Sequence, residues 1–329
     1  MKGCESVNKS QRNKKKKSPL KITLITLLII ILVTLIGGGL YSLYLSSKLD
    51  KVDLDKNNIG ITNETTENLS KYASYDKIIN IALFGIDAGD NEFGRSDSIM
   101  VLTVDPVHNK LKLSSIMRDS YVNIPDHGMD KLNHAFAFGN STLALQTLNE
   151  NFNINVDNFI STNFSNLPKI IDKLGGVTIN LTAEEIPLIN SYAASRGSTS
   201  SIGSAGPQLL DGDLALAYSR IRYTAGGDYE RTSRHRTVLG AVFNKVNNTP
   251  ATQFPSLLND FLPFVQTSFS TSELLSLGTT ISQIGSSKII EDRFPRDDFS
   301  KGETINGIYY LTFDEEATKT QMQQFIYEN

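Results

Sequence analysis

Cysteine is almost absent from this chain: among its 329 residues there is only Cys4. The sequence after it can hold no disulfide and no zinc site of the Cys/His type. Cys4 precedes the long apolar run, so it is not the lipidated cysteine of a lipoprotein, which follows such a run. It reads as an inert thiol or, near a membrane, a palmitoylation site. Histidine is scarce as well: His108 and His127 fall in turns, His134 and His235 inside charged motifs, and structural or surface roles are expected for all four. The spacing of a serine–histidine triad is missing, and so is a glycine-rich phosphate loop. Thiol, zinc, serine-nucleophile and P-loop chemistries therefore have no residues to carry them.

Charge is missing from one stretch. Residues 22–45 contain no Asp, Glu, Lys or Arg, and about 20 apolar residues suffice for a helix to span a bilayer core of roughly 30 Å. Before this run stand Lys2, Lys9, Arg12, Lys14, Lys15, Lys16, Lys17 and Lys21 against the single acid Glu5, while the whole chain is at -3. A basic head on an acidic body is a topology signal rather than a nucleic-acid signal. The expectation is one uncleaved N-terminal transmembrane helix with a cytoplasmic tail (1–21), the anchor (22–45), an extracellular linker (46–76) and an extracellular domain (77–329). Tyr41 and Tyr44 mark the outer interface. A cleaved signal peptide is the rival: Ser46 and Ser47 suit cleavage, but the run exceeds an ordinary h-region.

From residue 77 the pattern becomes that of a packed domain. Apolar runs at 78–86 and 98–104 and the alternation at 110–117 predict strands, with Asp105–Pro106 as a turn between the last two. Helices are expected at 131–151, 165–174, 211–222, 228–247, 254–266, 271–282 and 314–327, and further strands at 157–162, 176–181 and 287–291. Such alternation predicts an α/β domain, a three-layer α/β/α sandwich around a central mixed sheet.

Charge reappears at four places. Asp87 ends the first strand. Arg95 and Asp97 lead into the second. Arg118 and Asp119 close the third, where ligands of open α/β sheets bind. The last is the run 219–236, with Arg220, Arg222, Arg231, Arg234 and Arg236 around Asp228. Two carboxylates at adjacent strand ends suit Mg²⁺ completed by phosphate oxygens, although Asp also caps turns. An arginine fork suits phosphate, although Arg118–Asp119 also fits a surface pair. The arginine run is flanked by Leu214, Leu216, Tyr218, Val238 and Leu239, which draw it toward the core and ask for an anion there. With Lys131, the inventory suits a phosphate ester bound with Mg²⁺.

In order and spacing, GID (85–87), GRSD (94–97), MRDS (117–120), KLNHAFAFG (131–139), IDKLGGVTINL (171–181), LLDGDLALAYSRIR (209–222) and DYERTSRHR (228–236) resemble the LytR-CpsA-Psr family. The resemblance spans roughly residues 76–247. It departs where Glu230 replaces a frequent glycine, His235 a glutamine and Met117 a proline; none of these removes a charge from the site. The resemblance implies a membrane-bound phosphotransferase that moves an anionic glycopolymer, wall teichoic acid or capsular polysaccharide, from a polyprenyl pyrophosphate carrier to a peptidoglycan sugar hydroxyl. It implies an α/β/α sandwich with an apolar tunnel for the lipid. Asp87 and Asp97 are the implied Mg²⁺ ligands, with Mn²⁺ able to substitute. Arg95, Arg118, Lys131, Arg220, Arg222 and Arg231 are the implied pyrophosphate binders. Asp228 matches an acid that orients an arginine or takes a proton; Asp87 is the other candidate base. The implied partners are the lipid-linked polymer, peptidoglycan and the membrane, without nucleic acid. A membrane-bound transcription regulator fits less well, because a 21-residue cytoplasmic tail is too short for a folded DNA reader. A polyprenyl pyrophosphate hydrolase would use the same site with water as acceptor. A non-catalytic lipid binder would not need paired carboxylates.

Overall fold

The computed structural model describes residues 38–87, 94–163, 165–221, 227–285 and 289–328, the side chains of 227–232, 247 and 251 excepted. Chain contacts divide it into Met1–Tyr44 and the compact unit Leu45–Asn329. The described part of the expected anchor is helical at 38–46, here α1. Residues 1–37, and with them the cytoplasmic tail and most of the anchor, lie outside the described residues. Among those that are described, no helix is long and apolar enough to cross a membrane.

The compact unit is built on β1 (Asp50–Lys51), β2 (Ile79–Asp87), β3 (Arg95–Asp105), β4 (Lys110–Ile116), β7 (Asn158–Asn163), β10 (Gln266–Thr267) and β11 (Ile290–Phe294). They form one sheet in the order β1-β10-β7-β2-β3-β4-β11. β3 is antiparallel to both its neighbours, while β2–β7 and β4–β11 are parallel, so the sheet is mixed. Alternate residues of β2 and β3 feed two different cores, as a period of two requires. Ala82, Phe84, Ile99 and Val101 pack with α3 (His134–Phe152) and α10 (Glu315–Tyr327), whereas Ile81, Met100 and Leu102 pack with α7 (Gly227–Asn247), α8 (Phe254–Phe261) and α9 (Thr271–Ile284). Helices thus cover both faces, and the central strands are apolar nearly throughout because neither face meets water. A third core joins α4 (Leu167–Lys173), β8 (Val177–Leu181), α5 (Glu185–Ser195), β9 (Gly206–Leu210), α6 (Gly212–Ser219) and part of α7.

Local signals explain several boundaries. Asp211 caps α6 by accepting from Leu214 N–H at 2.9 Å. Ser270 and Glu273 form a reciprocal capping box at α9, which satisfies two of the N–H groups that a helix start leaves unpaired. The end of α10 is held by Lys112 of β4, whose buried Nζ donates to Ile326 O at 3.0 Å and Glu328 O at 2.7 Å.

The segment 46–76, expected as a linker, is instead part of the folded unit. Ile59, Leu69 and Tyr72 are buried in the first core, with α2 (Asn63–Leu69) between them, and β1 joins the sheet edge beside β10. Its few apolar anchors lie too far apart to give a periodic signal. Further elements lack a sequence forecast: the β5–β6 hairpin (Tyr121–Ile124, Gly128–Lys131), the helix α5 with β9, and the β12–β13 hairpin (Ser300–Ile305, Ile308–Phe313). The helix expected over 254–266 stops at Phe261 and gives way to a 3-10 turn (Leu262–Phe264) and β10.

Candidate active site

At the ends of β2, β3 and β4 lies a polar cavity of about 180 Å³, lined by Asp87, Arg95, Asp97, Arg118, Asp119, Lys131 and Asn133. The topology alone brings these motifs together. Asp87 ends β2 and is paired with Arg95 at the start of antiparallel β3. β4 runs back along β3, so Arg118 emerges at the same end. A web of backbone bonds then fixes the loops: Ser96 N–H donates to Asn133 O at 3.3 Å, Asn133 N–H to Arg118 O at 3.1 Å, and Leu132 N–H to Ser120 O at 3.0 Å.

Asp97 owes its position to an irregularity. Gly85 pairs with Ser98 and Ile86 with Ser96, so the register skips Asp97. It is the extra residue of a β-bulge, a device that re-aims one side chain and strengthens the local twist. Gly85 is needed opposite, since a Cβ there would lie 2.9 Å from Ser98 Cβ.

The side chains form a chain of alternating charge. Arg118 Nη1 donates to Asp97 Oδ2 at 2.7 Å, and Asn133 Nδ2 donates to Asp97 Oδ1 at 3.1 Å. Arg118 Nε stands 3.4 Å from Asp119 Oδ2, and Lys131 Nζ donates to Asp119 Oδ1 at 2.6 Å. Arg220, the C-cap of α6, reaches Asp87 Oδ1 at 3.5 Å from the other side. Asp97 is nearly enclosed, with 3% of its side chain exposed, whereas Asp87 is 43% exposed at the mouth. The pre-formed pairs hold the cationic groups in place before any ligand arrives, which is the condition for electrostatic stabilisation without reorganisation.

A second cavity lies at the same strand ends. It is apolar, has about 290 Å³ of open volume, and runs between the sheet and α7–α9 along Ile81, Leu83, Leu102, Ile160, Val238, Leu239, Val242, Phe254 and Leu277. Gly85, Ser98 and Ser219 also line it. Gly85 stands two residues before Asp87, Ser98 directly follows Asp97, and Ser219 directly precedes Arg220. The apolar channel therefore comes within one or two residues of Asp87 and Asp97, which line the charged cavity, and of Arg220, which pairs with Asp87.

The site places Asp87, Arg95, Asp97, Arg118 and Lys131 in one cavity, with Arg220 at its edge. Arg222 lies outside the described residues. Asp228 and Arg231 belong to the first turns of α7, but their side chains lie outside the described ones. The rest of the arginine run has other employment. Arg234 is buried and donates from Nε to Glu185 Oε1 at 3.0 Å, tying α7 to α5. Burial pushes the Arg236 guanidinium below its ordinary value, with Glu291 opposing. Asp119 and Asn133 complete the cavity; the sequence marks Asp119 as a charge at a strand end and Asn133 only as a member of the 131–139 motif, and assigns neither a role in the site.

Beside the cavity, Asp130 Oδ2 lies 2.8 Å from His134 Nδ1. Burial raises the Asp130 carboxyl, but the His134 ring, Lys131 N–H and the Tyr310 hydroxyl outweigh it and hold the group below the usual carboxylate range. His108 pairs similarly with Asp105 at 2.7 Å, and His127 stacks on Phe138.

Among the described residues, no cluster of three or more His, Cys, Asp or Glu could hold a metal. Asp87 and Asp97 still fit a Mg²⁺ of the kind that keeps water and phosphate oxygens, since such an ion takes only one or two carboxylates.

A model of the LytR_cpsA_psr family matches residues 41–326. A protein of Oceanobacillus iheyensis named polyisoprenyl-teichoic acid–peptidoglycan teichoic acid transferase TagU is 32% identical over 326 residues, covering 96% of both chains. Its namesake from Bacillus subtilis is 30% identical, over 94% of this chain and 95% of its own. Among solved structures, TagT with bound octaprenyl pyrophosphate lipid superposes with a TM-score of 0.59 at 25% identity, over 76% of this chain and 90% of that one. TagT bound to LI-WTA gives 0.66 at 25% identity, over 84% and 97%.

Proposed function

The chain belongs to the LytR-CpsA-Psr family, and from that membership and the geometry of its two cavities we propose that it transfers a teichoic-acid-type glycopolymer from a polyprenyl pyrophosphate carrier to a sugar hydroxyl of peptidoglycan. The observation that carries this reading is the apolar channel ending beside the charged cavity. A donor with a long hydrocarbon chain and a pyrophosphate head is the amphiphile whose two halves match them. The names of the relatives supply the polymer and the acceptor.

In this reading the lipid lies along Val238, Val242 and Leu277, and the pyrophosphate meets Arg95, Arg118, Lys131 and Arg220. Arg222 and Arg231 would add to this set. The acceptor oxygen bonds to the phosphorus that carries the polymer. The bond from that phosphorus to the bridging oxygen breaks, and polyprenyl phosphate leaves with the electron pair. The hydroxyl proton goes to a carboxylate at the mouth, Asp87 or Asp228. Mg²⁺, or Mn²⁺ in its place, would be held by Asp87 and Asp97 and would offset phosphate charge. Positioning and charge stabilisation carry most of such a reaction. The uncharged run 22–45 after a lysine-rich head supports a single-pass anchor with a cytoplasmic N-terminus and an extracellular domain, which keeps the enzyme in the plane of its lipid donor.

The test is transfer of lipid-linked polymer to peptidoglycan by the full chain in vesicles. Asp87→Asn is chosen because its side chain is half exposed and its loss should spare the fold. Transfer is expected to fall at least a hundredfold with the protein folded, and removal of divalent metal by EDTA should act in the same direction. Wild-type transfer by Asp87→Asn and Arg95→Ala would reject the site.

A further inference from the structure

Lys131, which lines the charged cavity, stands beside aromatic rings that the proposed donor does not use. β13 is hydrogen-bonded to the segment that carries Arg118 and Asp119: Leu311 N–H donates to Asp119 O at 2.9 Å, and Leu311 bridges to Ser120. This attachment sets Tyr309 and Tyr310 beside Lys131, whose Nζ lies 5.8 and 5.7 Å from their ring centroids. Tyr121, directly opposite Lys131 in the β5–β6 register, packs on Tyr310 at 4.7 Å. Tyr310 is buried, but Tyr309 is 47% exposed, and Met129, two residues from Lys131 on the same hairpin face, is 46% exposed.

We propose that Tyr309 is the platform on which a pyranose ring of the acceptor glycan strand stacks, with its reacting hydroxyl turned into the cavity past Lys131. This rests on the transfer reading above. Three features favour it. A pyranose has a C–H face, which suits the electron-rich face of an aromatic ring, and a rim of hydroxyls that asks for charged partners. Lys131 and the partly exposed Asp130 provide those partners at the edge of the platform. The second feature is direction. In-line displacement places the attacking oxygen opposite the leaving polyprenyl phosphate. The channel for the lipid adjoins the Asp87–Asp97 end of the cavity, and the rings adjoin its Asp119–Lys131 end. A sugar on the platform thus approaches from the side that the leaving group does not occupy, which leaves Asp87, at the lipid end, to the metal and assigns the proton to another carboxylate. The third is rigidity: the platform is tied by backbone bonds to the loop that bears Arg118, so sugar and phosphorus share one frame.

The test titrates the full-length chain in detergent with a soluble peptidoglycan glycan fragment and, separately, with polyprenyl pyrophosphate, and then measures transfer. In Tyr309→Ala the fragment should bind about tenfold more weakly, the loss expected for one stacking contact. The acceptor KM should rise by the same factor, while kcat and polyprenyl pyrophosphate affinity hold. Tyr309→Trp should bind as wild type, which separates stacking from misfolding. Fragment binding that is unchanged in Tyr309→Ala overturns the platform, and so does a loss confined to the donor's own glycan. If the wild type binds the fragment through Tyr309 but transfers no polymer, the transfer reading fails and the platform stands.

Discussion

Replacing Arg118 by Ala separates what the guanidinium does for the fold from what it does for chemistry. Its Nη1 lies 2.7 Å from Asp97 Oδ2, and that carboxylate is 3% exposed against 21% for the arginine side chain. Deleting one member of a buried pair strands the other charge, at a cost of about 3–5 kcal/mol. Because the arginine is partly open to solvent, the low end, about 3 kcal/mol, is the appropriate figure. At roughly 2–4 °C per kcal/mol for a domain of this size, the midpoint of thermal unfolding should drop by about 6–12 °C. Adding Asp97→Asn removes the stranded charge, and its neutral amide can still hydrogen-bond with Asn133 after an amide flip. The double variant should therefore recover at least about 1 kcal/mol relative to Arg118→Ala. Transfer activity should stay lost in both. Scanning calorimetry of the purified full chain, with the two single variants and the double one, gives the complete cycle. Additive destabilisation, or an Arg118→Ala protein within about 0.5 kcal/mol of wild type, would refute the claim that Asp97 depends on this guanidinium.

Three further outcomes are expected. Val242→Trp, which fills the apolar channel from α7, should weaken polyprenyl pyrophosphate binding at least tenfold while leaving inorganic pyrophosphate binding unchanged, as read by calorimetric titration. Arg234→Ala should act on the fold, because it strands buried Glu185, and lower stability by about 3 kcal/mol in chemical denaturation; Arg220→Ala should lower transfer with little change in stability. The Asp130 carboxyl is depressed in the folded state, so its contribution is fully present above the ordinary aspartate value of about 3.9 and is lost as the pH falls through the lower folded value. Asp130→Asn should accordingly be less stable than wild type at neutral pH, and the gap should close as acid is added, as measured by urea unfolding between pH 2 and 6.

The parts of the fold that the sequence displayed are those whose signal is local. The runs at 78–86 and 98–104 became β2 and β3 because strands buried on both faces must be apolar nearly throughout, and the alternation at 110–117 became β4. Helices with caps, such as α9 after Ser270, were legible for the same reason. The β12–β13 hairpin was not, since Ser300–Ile305 is polar and short and gains its place from Asp119 and Ser120, far away in sequence. Segment 46–76 was misread because Ile59, Leu69 and Tyr72 are anchors without a period. At the site, charged residues at strand ends stood out individually. Their pairing did not: Asn133 and Asp119 acquire their roles only when β3, β4 and β6 converge. Arg234 shows the converse, a member of a conspicuous cationic run whose partner is the buried Glu185.

The bulge at Asp97 explains how one strand end serves both halves of an amphiphile. In a regular antiparallel pair, successive residues of β3 would alternate strictly between the two cores. Skipping Asp97 in the register frees it from that alternation, so the strand offers a carboxylate to the charged cavity while its next residue, Ser98, lines the apolar channel. A small residue is required opposite, because Gly85 and Ser98 approach too closely for two side chains, and the same smallness keeps the channel open up to the polar end. The motifs around residues 85 and 97 are therefore a single structural device. The glycine admits the close approach, the bulge turns the acid, and the apolar and ionic cavities come to lie side by side with no Asp, Glu, Lys or Arg among the described residues that line the channel. Moving the bulge by one residue would exchange the environments of Asp97 and Ser98. A carboxylate would then stand against Leu83 and Leu102 with no cation beside it, and the cost of burying it unpaired is several kcal/mol, which is why the register here is tightly determined.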